Sequence, residues 1–315
     1  MRVVRIASSL LMPLIACACG KSDKPADTGS AAPVVAVDAP LAAIGLEKLS
    51  VTVDGKPVPM LRAFIKRVSF DQWRVQVGDL EGSCQELISG AIQVQKDATS
   101  FVATIVKRLA PDGSETTVVS DLASGATTTP VNTRATISGL TTKDAKVQIT
   151  FDKMAAVSSQ PPAADGISME RKLEIAGPFT AIGCGDQPET DVGVPKGPVT
   201  SSATVTIAGK KLDLKGAILR GNDVVLSTSP KDCSPTRLFA PIILAVTAGK
   251  WELSGTWIAK PETAVDTMKG VKFKVIDDKA KTEDGPIVAL ELSGQGTIAG
   301  YPLQFTGTIL ALDCP

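Results

Sequence analysis

There is no histidine anywhere in the 315 residues of this chain. That absence excludes Ser-His-Asp and Cys-His activation of a nucleophile and removes the commonest zinc ligand. It also leaves no side chain that titrates near neutrality at its ordinary pKa. Gly-x-Ser-x-Gly, Ser-x-x-Lys, Gly-x-Gly-x-x-Gly, the Walker phosphate loop and the twelve-residue calcium loop are missing too. Catalysis would have to rest on carboxylates, lysine or a metal held by oxygen, so no catalytic residue, metal or cofactor is expected. Charge of one sign is also lacking. The chain carries 33 basic and 33 acidic residues, with no basic stripe interleaved with aromatics, and aromatics are only 4% of the whole. Nothing here would neutralise phosphates, so nucleic acid is not an expected partner. No C-x-x-C pair of the metal-binding kind occurs.

What is there begins with the first seventeen residues. Arg2 and Arg5 form a basic head, and Ile6 to Ala16 form an uncharged apolar stretch. That stretch is far short of the roughly 20 residues a membrane-spanning helix needs. The tetrapeptide Leu14-Ile15-Ala16-Cys17 then follows. This order of head, apolar core and cysteine resembles the signal peptide and lipobox of bacterial lipoproteins. The resemblance covers only these residues; no family is recognised for the globular part. It implies cleavage before Cys17, acylation of its thiol and of the new amine by palmitate-type chains, and attachment to a membrane of the cell envelope. Two or three acyl chains anchor stably because each buried methylene contributes roughly 0.8 kcal/mol. Cys19 lacks the branched residue three places before it. Ala18, rather than aspartate, follows Cys17, which resembles an outer-membrane sorting signal where the host has two membranes. Removing Arg2 and Arg5 leaves 31 basic against 33 acidic residues, a net charge of −2.

Residues 17–41 read as the lipidated cysteine and a tether of small, polar and proline-rich composition. Its root-mean-square span is about 25 Å and its limit about 70 Å. Beyond it the chain matches itself. Ser50–Lys56 aligns with Thr204–Lys210, Ala63–Lys66 with Ala217–Arg220, Val75–Cys84 with Val224–Cys233, Lys146–Lys153 with Lys272–Lys279, and Leu173–Cys184 with Leu303–Cys314. Five matches in one order define two divergent copies, over 42–187 and 199–315, joined by a linker at 188–198 rich in proline, glycine and acidic residues. Each copy places one cysteine after its early strands and one at its end. An even count in an exported chain implies disulfides, and the repeat favours Cys84–Cys184 and Cys233–Cys314.

The patterning is that of strands. Val147, Ile149 and Phe151 alternate with Lys146, Gln148 and Thr150, and Trp251, Leu253, Gly255 and Trp257 alternate with Glu252, Ser254 and Thr256. Turn signals recur at Asp54-Gly55, Pro111-Asp112-Gly113, Asp165-Gly166, Asp284-Gly285 and Ala299-Gly300. The expectation is an all-β protein of two tandem antiparallel sandwich or barrel-like domains, one disulfide each, with a short helix near Cys84–Ile88. Trp73, Trp251 and Trp257 read as core residues. Adjacent Asp277 and Asp278 would point to opposite faces of a strand and read as turn or strand-end residues, not an acid–base pair. Glu170 and Glu174 could share a face. Ser120 to Thr133 reads as a loop and as the largest insertion of the first copy.

These readings favour a non-catalytic binding or structural role toward an envelope protein or polymer. A carboxylate-dependent hydrolase and a carrier of apolar ligands inside a barrel are the alternatives.

Overall fold

Among the described residues the first copy forms nine strands, because short Val-, Ile- and Thr-rich runs alternate in polarity and are cut by turns. The structure, a computed structural model, describes residues 45–78, 84, 100–124, 127–159, 170–186, 202–214, 216–221, 223–227, 243–247, 250–259, 264–266, 272–282 and 285–314. Residues 41–315 form one compact unit. In the first copy the strands are β1 (Ser50–Val53), β2 (Lys56–Pro57), β3 (Arg62–Ser69), β4 (Gln72–Gly78), β5 (Ser100–Leu109), β6 (Glu115–Ser124), β7 (Thr127–Ser138), β8 (Lys146–Ser159) and β9 (Glu170–Asp186). β3 to β9 close into a seven-stranded barrel. Closure is made by β9, which pairs antiparallel with β8 along one edge and parallel with β3 on the other. The inward row is apolar and filled: Ile65, Val75, Phe101, Ile105, Ile149, Phe151 and Phe179 are all buried. Phe151 and Phe179 meet edge to face at 5.0 Å.

The second copy comprises β10 (Thr204–Ile207), β11 (Lys210–Asp213), β12 (Gly216–Arg220), β13 (Asp223–Ser227), β14 (Ile243–Thr247), β15 (Lys250–Ser254), β16 (Ala264–Asp266), β17 (Lys272–Thr282), β18 (Gly285–Ile298) and β19 (Tyr301–Asp313). It curls into a half-barrel instead of closing. The reason lies in one strand. In the first copy β7 is continuous, pairing first with β6 and then with β8. Its counterpart is split in two: β16 pairs with β15, and β17 pairs with β18.

Strand registers establish the repeat residue by residue. Phe64 lies opposite Ile182 and Ile218 opposite Leu312; Val51 lies opposite Ile175 and Val205 opposite Phe305. Four of the five aligned segments fall on equivalent strands. The fourth does not. Lys146–Lys153 lies on β8, which pairs with the last strand of its copy, whereas Lys272–Lys279 lies on β17, one strand too early. The true counterpart of Val147-Gln148-Ile149 is Val288-Ala289-Leu290, since Ile149 faces Phe179 as Leu290 faces Ile309.

Both first hairpins turn on two left-handed residues, Asp54-Gly55 and Ala208-Gly209, the turn whose twist suits paired strands. Both last strands carry a glycine at φ near +110°, Gly177 and Gly307, where the segment entering the first strand crosses over. A Cβ on Gly177 would overlap the Lys48 carbonyl oxygen, and one on Gly307 would lie 2.5 Å from that of Ser202. Only glycine allows both this backbone angle and this approach.

Cys84 and Cys184 are joined, with Cα atoms 5.2 Å apart across 100 residues of sequence. A loop of that length corresponds to about 4.7 kcal/mol in the chain-entropy model. Cys314 is buried and disulfide-bonded as well; Cys233, its expected partner, lies outside the described residues. So do Cys17, Cys19, the lipobox, the whole tether and the linker. Cys84 is helical, and the rest of the expected helix around it lies outside the described residues.

Two further expectations are corrected. Ser120 to Thr133 is not a loop: it forms the β6–β7 hairpin. The longer connection belongs to the second copy, between β15 and β16. Trp257 also does not continue the strand of Trp251; β15 ends at Ser254, and Trp257 is buried from that longer connection.

Replacing Gly177 or Gly307 by alanine is expected to lower unfolding free energy by about 2–5 kcal/mol, from backbone strain and overlap together. Denaturant unfolding of each variant measures it. A loss no larger than that of Gly55→Ala, where a Cβ meets nothing, would contradict the crossover account.

Candidate functional site

The two copies meet through a hairpin tip. β5 and β6 run past the end of the first barrel and turn at Pro111-Asp112-Gly113. Asp112 there accepts from the amide (2.9 Å) and hydroxyl (2.6 Å) of Ser114, bonds that hold its carboxyl below the usual range. Leu109, at the end of β5, is fully buried, and its side chain belongs to the core of the second copy. Its backbone is gripped on both sides. The Leu109 amide donates to the Trp257 carbonyl at 2.6 Å, and the Ala259 amide and the Tyr301 hydroxyl both donate to the Leu109 carbonyl, at 3.0 and 2.9 Å. Phe70, from the β3–β4 turn, meets the Trp257 ring edge to face at 5.2 Å. Among the described residues the Trp257 Nε1 is buried without a hydrogen-bond partner, which costs about 1–3 kcal/mol and is offset by the area the ring removes from water.

A polar pair flanks this contact. Asp71 is completely buried and accepts from the Ser69 hydroxyl on its own turn and from the Thr256 hydroxyl, at 2.8 Å, on the other copy. Arg108 donates to the Thr256 carbonyl at 2.6 Å and to that of Ile258 at 3.3 Å. Burial raises the Asp71 carboxyl above its usual range; the hydroxyl bonds and the Arg108 charge oppose the rise without cancelling it. This is the one described carboxylate with a raised pKa, and it lies inside an interface rather than in a cleft. It holds two domains together and is not placed to meet a substrate.

The end of the second copy that receives the hairpin has a counterpart in the first. Tyr301, Gly300 and Ala208, which flank the tip, correspond to Arg171, Glu170 and Asp54. The Asp54 amide donates to the Lys172 carbonyl just as the Ala208 amide donates to that of Pro302. In the first copy these residues line an open groove of about 360 Å³, completed by Thr129, Ala155, Ala156 and Val157. In the first copy only two residues separate β6 from β7, where the second copy carries the longer connection bearing Thr256 to Ala259. Asp54 and Lys172 at its mouth are held in place. The Lys172 amide donates to Asp54, and Glu174 beside the groove accepts from Lys172 at 2.7 Å and Lys153 at 3.3 Å. The hydrogen bond from Lys172, then that from Lys153, holds the Glu174 carboxyl below its usual range.

The carboxylates singled out in the sequence are therefore not brought together for chemistry. Glu170 lines the groove and Glu174 is neutralised by lysines. Asp277 sits within β17 between two register irregularities, a strand position instead of the expected turn. Glu252 is half-buried on β15, facing Ala245. Trp251 packs on Phe305 at 5.4 Å in the core, and Trp73 packs at the rim of the first core with Lys107 over its ring. Among the described residues no group of His, Cys, Asp or Glu could hold a metal ion, and no helix is long and apolar enough to cross a membrane. The residues that matter most here, Leu109, Asp71, Arg108 and Tyr301, carried no sequence motif; the single tyrosine of the chain was the only mark on any of them. No protein-family model matches the chain, and neither does any curated protein or solved structure.

Tyr301→Phe removes a hydroxyl that bonds two backbone groups of the interface, and a loss of about 1–3 kcal/mol in unfolding free energy is expected. Loss of less than about 0.5 kcal/mol would mean the bond contributes nothing net. For Asp71 the sign follows from its raised folded pKa. Protonation is favoured in the folded state, so its contribution is fully present below the ordinary carboxylate pKa and is lost as pH rises through the folded value. Asp71→Asn should therefore compare more favourably with the parent at pH 7 than at pH 4 in thermal melts. A difference independent of pH would refute the assignment.

Proposed function

We propose that this chain is a lipid-anchored cell-envelope protein, acylated at Cys17, that binds a protein partner or envelope polymer and does no catalysis. The open end of the first barrel is the contact surface. One observation carries this reading: the equivalent end of the second copy already holds a β-hairpin, the Leu109 tip, by backbone bonds and an apolar side chain. The same scaffold in the first copy presents Asp54, Glu170, Arg171, Lys172 and an exposed Val157 to solvent. Its mixed charges suit a polar partner surface, and the barrel rim fixes their positions. The filled interior of the first barrel favours surface contact over carriage of an apolar ligand. Carboxylates held by lysines or hydroxyls favour binding over hydrolysis. The basic head, the apolar stretch from Ile6 to Ala16 and Leu14-Ile15-Ala16-Cys17 support the anchor, and Ala18 supports the outer membrane where the host has two.

A photo-reactive residue placed at Val157 in the full-length protein in its own cells should give a reproducible adduct that the same residue at exposed Glu291 does not. Arg171→Glu should reduce that adduct about tenfold, the scale of one lost charge-assisted contact. Equal capture at both sites, or no effect of Arg171→Glu, would overturn the groove as the contact.

A further inference from the structure

Four large apolar side chains are strongly exposed among the described residues: Leu61, Leu140, Val157 and Ile182. Two of them stand at one place. Leu140 begins the turn between β7 and β8 and is 76% exposed, and Ile182 on β9 is 42% exposed. The turn is fixed onto the strand end. The Gly183 amide donates to the Ala145 carbonyl, the Asp144 amide to that of Gly183, and the Gly185 amide to that of Thr141. Gly183 is required there, since a Cβ would overlap the Thr142 carbonyl oxygen. Ile182 lies opposite Lys146 on the outer face of the barrel. Exposed Lys143 and Lys146 thus flank the two apolar groups, with Asp144 the one acid in the turn.

The chain enters the folded unit beside this patch. The Thr180 amide donates to the Gly45 carbonyl at 2.8 Å, and Gln148, in the next row from Lys146 and Ile182, donates to the Thr180 hydroxyl at 2.9 Å. Roughly 28 residues separate Gly45 from Cys17, and a flexible chain of that length has a root-mean-square span of about 30 Å.

We infer that Leu140 and Ile182, with Lys143 and Lys146, form a membrane-docking patch that settles on an anionic lipid surface while Cys17 holds the protein to the same bilayer. This rests on the lipid-anchor reading. Two exposed aliphatic groups and a small excess of lysine bind too weakly to recruit a free protein. On a tether the second contact is intramolecular at millimolar effective concentration, so a weak patch suffices to set orientation. Docking there turns the groove outward. Val157 and Lys172 pair ten residues of β9 away from Ile182, a separation of about 33 Å along the strand.

The test uses the full-length chain, as processed in its own cells, with vesicles of phosphatidylethanolamine and phosphatidylglycerol containing a dibrominated lipid. Leu140→Trp and Ile182→Trp should be quenched about twofold or more beyond the parent, since depth in the headgroup region brings the ring to the bromines. Val157→Trp, at the other end of the same strand pair, should not. Replacing the anionic lipid by phosphatidylcholine should reduce the quenching at 140 and 182. Absence of quenching at both, or equal quenching at 157, overturns the patch. Flotation with the vesicles and the acyl mass on Cys17 are read in parallel. Unacylated protein that stays in solution overturns the anchor itself, whereas acylated, floating protein with unquenched 140 and 182 overturns only the docking. Having two reporter positions keeps the result interpretable if one variant misfolds.

Discussion

The carbonyl of Leu109 accepts from the Ala259 amide and the Tyr301 hydroxyl while its amide donates to Trp257, and its side chain fills the second core. A residue whose backbone and side chain are both satisfied by another domain cannot leave without exposing all of them. Burying such a leucine contributes about 1.5–3 kcal/mol, and each orphaned backbone group would cost about as much again. That one insertion makes two repeats into one unit. It also explains why the second copy does not need to close. The split of its seventh-strand counterpart leaves the half-barrel short of core, and Leu109 and Phe70 from the first copy pack against that core.

The duplication that built the chain thus led to asymmetry. At the end that receives the hairpin the second copy has Tyr301, Gly300 and Ala208, residues that are apolar or small. At the equivalent end the first copy has Arg171, Glu170 and Asp54, which water tolerates. The contact between repeats is heterologous: one end of a copy meets the opposite end of the next, and such a contact always leaves one receiving end unfilled. The short β14–β15 hairpin, paired only from Ile243–Ser254 to Thr247–Lys250, does not project as β5 and β6 do, so the series does not continue through the second copy. The unfilled end is the groove.

Much of this was legible in the chain. Alternation gave the strands, and the cysteine positions with Leu173–Cys184 and Leu303–Cys314 gave the repeat and the Cys84–Cys184 pairing. Those segments align because the crossover glycine and the hairpin turns impose conformational demands that few residues meet. Lys146–Lys153 was misaligned for the opposite reason: alternating apolar residues flanked by lysine fit any strand that is half-buried, and period alone does not say which neighbour a strand will take. The interface was invisible because nothing local distinguishes Leu109 from other aliphatic strand residues. Its partners lie about 150 to 190 positions away, and only the closed barrel brings them within reach. The same holds for Asp71, an ordinary turn aspartate by sequence and a buried acceptor in the folded chain.

On the proposed reading, anchoring and binding would place opposing demands on the protein, and the strand directions would answer both. β8 and β9 run as one antiparallel pair from the Leu140–Ile182 end to the groove. This two-stranded span links the point where the chain enters the fold to the surface proposed to meet a partner. If Cys17 carries the proposed anchor, chain entropy in a tether of that length would keep it from dictating orientation, and orientation would come from a second, weaker contact. Such a contact serves best if it is too weak to hold the protein by itself, because it can then release when a partner pulls the groove to another angle. A strongly apolar patch would fix the barrel on a bilayer and favour self-association. Two aliphatic side chains beside two lysines meet the requirement, and the barrel end supplies no more than that.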